Sequence, residues 1–366
     1  MTGTGRGLFP NGDCPRTPSD LIKTEAARLG FPACGIVKAN AIGRREPELK
    51  AWLAAGRDGG LGYMQAFFDR RRRLLEGFPT FKTALVLAVP YARRNPPADP
   101  AAPVSGGRIA RYARGRDYHP VISKRLRRLE QALRALFPKS GPMRPCVDTS
   151  PLQERALAEA AGLGFFGKNG CLIDPKSGSF FFLCALLTDL DLPADQPMLW
   201  DCGGCTRCIT ACPTGALEPP YQVNAGRCIT LLTIENRGPI PEPLREKIGP
   251  WLFGCDICQE VCPYNKGGTG GSDPVNLWPE LRPEQGAGER LPLSELLRIR
   301  TEADFLSRFQ GTPLTRPKRE GLLRNAAVAA GNSRNPALIP ALREAAKEDL
   351  SPMVREHAAW ALARLE

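Results

Sequence analysis

The sequence predicts three units in series: an α/β domain over residues 1–195, a cysteine-dense metal-cluster segment over 196–268, and an α-helical domain over 285–366. Three observations carry this division. Helix and strand signals alternate through the first 195 residues. Eight of the 13 cysteines fall between Cys202 and Cys262. Two similar helical segments, Leu323 to Ala330 and Val354 to Leu362, recur about 31 residues apart, the period of paired-helix HEAT-type repeats.

The α/β reading follows the chain. Pro18 to Leu29 reads as a helix behind a Thr17 cap, stopped by Gly30, and Ala33 to Val37 as a short buried strand. Thr83 to Val89 is a second strand, followed by a Pro/Ala-rich loop through Ala102. His119 to Leu136 carries Val121, Ile122, Leu126, Leu129, Leu133 and Leu136 at helical spacing. A strand at Arg144 to Val147, a helix at Leu152 to Ala161, and strands near Cys171 to Ile173 and Ser179 to Leu187 complete the unit.

Composition limits the setting. With 42% hydrophobic and 24% charged residues the chain matches an ordinary soluble globular protein. No run reaches the roughly 18 apolar residues that a membrane span needs, and the first residues lack a signal-peptide pattern. The expectation is a cytoplasmic protein, monomeric and without a membrane partner. A formal charge of +12 favours an acidic partner: nucleic acid, an anionic cofactor or an acidic electron carrier.

The cysteines are the sharpest signal. In a reducing cytosol they do not read as a disulfide framework. Cys202-Gly-Gly-Cys205-Thr-Arg-Cys208-Ile-Thr-Ala-Cys212-Pro213 has the bacterial-ferredoxin spacing, in which three thiolates wrap one cubane and the fourth reaches its neighbour. Cys255-Asp-Ile-Cys258-Gln-Glu-Val-Cys262-Pro263 repeats the pattern short of one upstream cysteine, which Cys228 supplies. The expected ligand sets are Cys202, Cys205, Cys208 and Cys262 for one 4Fe–4S cluster, and Cys212, Cys228, Cys255 and Cys258 for the other. Paired CxxC units also make zinc sites, but the repeated x2-x2-x3-Pro spacing favours iron and sulfur. Cys14, Cys34, Cys146, Cys171 and Cys184 read as small buried hydrophobes.

Other motifs fail on context. Gly162-Leu-Gly164-Phe-Phe-Gly167 fits G-x-G-x-x-G but follows a helix, so it reads as a helix stop and turn rather than a dinucleotide loop. Asp117-Tyr-His119-Pro-Val-Ile122 begins like the signature by which some cobalamin proteins ligate cobalt, yet Ile122 replaces the required glycine. His119 is therefore not assigned as a metal ligand. The basic runs Arg70 to Arg73 and Lys124 to Arg128 read first as solvated helix faces.

Tyr112-Ala-Arg-Gly-Arg-Asp117-Tyr-His119, Val147-Asp148-Thr149-Ser150-Pro151, Gly167-Lys168-Asn169 and the double cysteine run, in this order, resemble the epoxyqueuosine reductases. The resemblance implies an α/β cobalamin-binding domain, a ferredoxin-like two-cluster domain and a HEAT-like helical tail. It also implies reduction of epoxyqueuosine to queuosine at the wobble position of a tRNA anticodon, driven by an external low-potential electron donor. Two cofactor types follow, cobalamin and two 4Fe–4S clusters. Converting an epoxide to an alkene takes two electrons and an acid for the departing oxygen; Asp148, at a strand end, is the expected proton donor, kept protonated by burial beside the apolar macrocycle. Its alternative duty is capping the next helix. Arg71, Arg111, Asp148, Lys168, Asn169, Thr230 and Asp256 are expected around the corrin. Arg316, Lys318, Arg319, Arg324, Arg334 and Arg355 are expected on tRNA phosphates. A competing reading is a reductive dehalogenase-like enzyme acting on a small molecule with the same cofactors.

Overall fold

The computed structural model describes residues 17–92, 106–266 and 277–366. Cys14, most of the Pro/Ala-rich loop and most of the Gly-rich linker after Lys266 lie outside these residues.

A four-stranded sheet organises the first unit, in the order Ala33–Lys38, Thr83–Pro90, Phe181–Thr188, Arg144–Val147. Every pairing is antiparallel. The strand at Thr83–Pro90 is buried along nearly its whole length, which is why it reads as a continuous apolar run instead of an alternating one. Ile36, Leu85, Leu87 and Leu186 point to one face and meet the helices Pro18–Arg28 and Tyr118–Leu136. Val37, Ala84, Val86, Ala185 and Leu187 point to the other and meet the helix Glu154–Ala160. The result is a helix–sheet–helix sandwich, with each fully buried Leu or Ile contributing about 2 kcal/mol.

The sequence placed these elements to within a few residues. Thr17 closes a capping box with Asp20, and Gly30, at φ +89°, ends the first helix. Val121, Ile122, Leu126, Leu129 and Leu133 are buried on the long helix, but Leu136 lies on its last turn and is exposed. The expected strand at Cys171–Ile173 shrinks to Leu172–Ile173, paired only with Phe165–Phe166.

The tail helices Lys318–Asn332, Ile339–Glu348 and Pro352–Leu365 share one core with Ile109, Ala113, Ile234, Leu252 and Phe253. Asn325 bonds the backbone oxygens of Thr233 and Leu252. The helix Lys318–Asn332 is thus packed between the rest of the tail and the cysteine segment.

Candidate active site and cluster sites

Asp148 follows the last residue of the strand Arg144–Val147 and takes a left-handed backbone at φ +45°, a conformation Asp tolerates better than most side chains. The next helix starts at Glu154, its N-cap Gln153 making no side-chain cap. Asp148 and Thr149 are therefore free of the capping duty. Asp148 Oδ2 accepts from Tyr118 Oη at 3.0 Å and meets His119 Nε2 at 2.9 Å. His119 Nδ1 lies 2.7 Å from Asp117 Oδ1, and Asp117 caps the helix that carries both aromatic residues. Tyr118 stacks on His119 and on Phe182, fixing the imidazole.

Two carboxylates on one imidazole decide where the proton sits. Burial would lower the His119 pKa, but the hydrogen bonds to Asp117 and Asp148 override it and raise it to about 9. Burial would likewise raise Asp148, yet the hydrogen bond and charge of His119, with Tyr118 and Arg316, bring it below the usual carboxylate range. In the protein alone the Asp148 side chain is 59% exposed and the proton of the pair rests on His119. The neutral carboxyl at this strand end is Glu154, which the sequence reading missed. Burial pushes it up to about 8, and its Oε1 is buried without a partner.

Arg316 comes from the tail to this site. It pairs with Glu235 at 2.9 and 3.0 Å, and its charge is felt by Asp148 and by the half-exposed Tyr63.

The cysteines gather as their spacing predicts. Cys202, Cys205, Cys208 and Cys262 line one small cavity with Lys168, Asn169 and Arg207. Cys255 is raised by burial and by nearby Cys228 and Cys212, and Cys258 by Cys171, burial, Cys255 and Cys228, so the other four form a second neighbourhood. Among the described residues no three Cys, His, Asp or Glu side chains close on a single metal ion. A cubane takes its thiolates at separate corners, so the two open groups of four suit it. Cys171 is more than a core hydrophobe, since its thiol lies against Cys258.

The residues expected around a corrin divide. Lys168 donates its backbone amide to Cys202 Sγ at 3.4 Å and its ammonium to the Gly203 and Cys205 oxygens, so it serves the first cysteine group. Asn169 likewise lines that cavity and reaches the Cys258 oxygen. Asp256 is buried, held up at about 6 mainly by burial, and accepts from the Arg111 amide at 2.8 Å. Arg111 sits over Phe180. Thr230 lies in the first turn of the helix Ile229–Ile234, where its amide and hydroxyl reach the Cys228 thiol, so it serves the second cysteine group. Arg71 is the buried one of the four arginines, paired with Glu46, and its Nη1 has no partner. Arg70 instead bonds the Thr149 oxygen at 2.8 Å, which brings this helix against the Asp148 turn.

Two of the six expected tRNA contacts are corrected. Arg324 is fully buried and binds the oxygens of Leu232, Asn236 and Gly238, while Arg319 is buried against Asp349. Arg324 holds the tail to the body, while Arg319, which also bonds the Ile299 oxygen, ties the tail to itself. Arg355 ties down the Asp349 and Leu350 oxygens. Arg316, Lys318 and Arg334 are exposed.

Comparison with known proteins adds the family. A model described as a 4Fe-4S double cluster binding domain matches residues 201–265, and one described as "Epoxyqueuosine reductase QueG, DUF1730" matches residues 71–149. The epoxyqueuosine reductase of Xanthomonas campestris pv. campestris is 40% identical over 356 residues, 96% of this chain and 97% of that protein. The chain belongs to the epoxyqueuosine reductase family. Solved epoxyqueuosine reductases share the fold. One, crystallised with an epoxyqueuosine-modified tRNA-Tyr stem loop, superposes with a TM-score of 0.82 at 32% identity, covering 95% of this chain and 90% of that one. Another, from Bacillus subtilis with its catalytic aspartate loop swung out of the active site, gives 0.81 at 31% identity over the same shares of the two chains. Among the described residues no helix is long and apolar enough to cross a membrane.

Proposed function

We propose that this chain reduces epoxyqueuosine to queuosine in the anticodon of a tRNA, as a monomeric cytoplasmic enzyme. The observation that carries the reading is the position of Tyr112, whose ring lies 6.3 Å from that of Tyr118, the partner of Asp148, and 6.0 Å from that of Phe253, two residues before Cys255. Electron supply and proton supply converge there on one reaction centre. The tRNA-bound relative supports the substrate, and the catalytic aspartate loop of the Bacillus subtilis enzyme supports Asp148.

The division of labour follows the three units. Residues 1–195 form the catalytic domain. Residues 196–268 hold the clusters, one on Cys202, Cys205, Cys208 and Cys262, the other on Cys212, Cys228, Cys255 and Cys258. Residues 285–366 are a HEAT-like tail that meets the tRNA backbone through Arg316, Lys318 and Arg334.

Cobalamin is the cofactor the chemistry and the resemblance ask for, and the residues present fit a polyamide macrocycle. Arg71 Nη1, Gln153 Oε1 and Glu154 Oε1 are buried near the Asp148 turn with no protein partner, and such orphaned atoms are costly unless a ligand satisfies them. These three, with Arg111 and Asp256, would hold it. When bound, it would supply low-potential one-electron redox chemistry at its cobalt. The proton held on His119 passes through Asp148 to the leaving oxygen. Tyr118 orients the carboxylate. The test uses reduced, reconstituted enzyme offered epoxyqueuosine stem-loop and a halogenated phenol in parallel. Conversion of the stem-loop alone is expected; dehalogenation without stem-loop conversion would overturn the reading in favour of a small-molecule reductase.

A further inference from the structure

Among the described residues seven large hydrophobic side chains are exposed, and three of them adjoin the first cysteine group: Leu199 and Trp200 just before Cys202, and Tyr221 through Lys168. Leu199 is 97% exposed and Trp200 57%, immediately before Asp201 and Cys202. Their position is fixed from behind: Asp201 accepts from the Gly203 amide at 2.6 Å and, through its backbone oxygen, from Tyr264 Oη at 3.3 Å. Tyr221, 51% exposed with its backbone at φ +67°, joins the same patch. Its amide donates to the Lys168 oxygen at 3.0 Å, its hydroxyl feels Cys202 and Asp201, and Lys168 itself bonds Cys202 Sγ.

An apolar patch in water is costly unless something covers it. This one adjoins Cys202, whose thiolate the function above assigns to a cluster. The nearby cations, Lys168 and Arg207, and the chain's formal charge of +12 select an acidic partner. The geometry points to Leu199, Trp200 and Tyr221 as the docking surface for an acidic one-electron carrier protein, with electrons entering at the Cys202 cluster. This rests on the cluster assignment made above.

The balance requires such a partner to dock twice. Breaking both epoxide C–O bonds, forming the C=C bond and releasing water consumes two electrons and two protons. Two reduced carriers are therefore each oxidised by one electron per queuosine formed. The second cluster and the cofactor pass the electrons inward, and the active-site acids supply protons.

The experiment uses the holoenzyme and a Leu199→Ser/Trp200→Ser variant, with reduced acidic flavodoxin as the probe and dithionite as a carrier-free reductant. Flavin oxidation on mixing with oxidised holoenzyme should slow at least about tenfold in the variant, as for removal of an interface hot spot, and the wild-type rate should fall with added salt. Dithionite-driven stem-loop conversion should match wild type, which also reports that clusters and fold are intact. A Leu306→Ser/Leu350→Ser control, exposed on the tail, should change neither rate. Equal flavodoxin rates in variant and wild type would overturn the proposal. So would a raised KM for the stem-loop with dithionite, which would give the patch to RNA, or loss of a wild-type dimer in the variant, which would give it to a second copy. Failure of dithionite to support conversion by wild type would strike the cluster and function assignment instead.

Discussion

Replacing His119 by Gln separates the two halves of the proton-delivering pair. In the wild type the pair holds its proton up to a pKa of about 9, so roughly 90% of molecules carry it at pH 8, and activity should fall tenfold per unit only above pH 9. Without the imidazolium, Asp148 must carry the proton alone. An unperturbed aspartic acid, of pKa about 3.9, is protonated in roughly one molecule in 4,000 at pH 7.5. The variant should therefore lose about 10³-fold or more at that pH and recover about tenfold for each unit of acidification. The assay is anaerobic single turnover by pre-reduced enzyme on epoxyqueuosine stem-loop between pH 6 and 10, with queuosine quantified by nucleoside mass analysis. A variant that slows equally at every pH, or keeps the wild-type alkaline limb, would refute the pair.

Other perturbations test other parts of the account. Asp148→Asn should cut single-turnover conversion by about 10²- to 10⁴-fold at all pH values while leaving stem-loop affinity within a factor of two or so, measured by anaerobic titration. Arg324→Met abandons three buried backbone oxygens and should lower stability by roughly 3–5 kcal/mol, read by denaturant unfolding, instead of merely weakening RNA binding. Lys318→Ala and Arg334→Ala should each leave stability unchanged and flatten the salt dependence of stem-loop binding by about one counterion. His357 is fully buried and neutral: burial lowers its pKa to about 4, and it accepts from the Ile240 amide at 3.1 Å. Because its folded value lies below the unfolded one of about 6.5, it costs nothing above pH 6.5 and removes up to about 3 kcal/mol as pH falls towards 4. His357→Gln should remove that acid-side slope from the stability profile.

Sequence spacing carried most of what is local. The eight cysteines were legible because cluster ligation dictates their intervals, and the helix Tyr118–Leu136 because its apolar stripe has one period. Asp148 was legible as a strand-end carboxyl, but its protonation was not, since that depends on His119, 29 residues away in the chain. The broken cobalt-ligand signature drew attention to His119 as a failed metal ligand and concealed its pairing with Asp148. Glu154 looked like an ordinary first-turn acid; only folding reveals that it is buried beside Asp148. Arg319 and Arg324 read as surface charge because composition cannot say which face of a helix the rest of the tail or a second domain covers. The antiparallel order of the sheet was equally hidden, being set by pairings between strands up to about 100 residues apart.

The most direct test of the central claim is anaerobic reconstitution of the wild-type chain with iron, sulfide and cobalamin, followed by reduction with epoxyqueuosine-containing anticodon stem-loop present. The account predicts queuosine, a nucleoside lighter by one oxygen atom, with two electrons consumed for each one formed. Unchanged epoxyqueuosine in the presence of fully loaded clusters and cobalamin would contradict it.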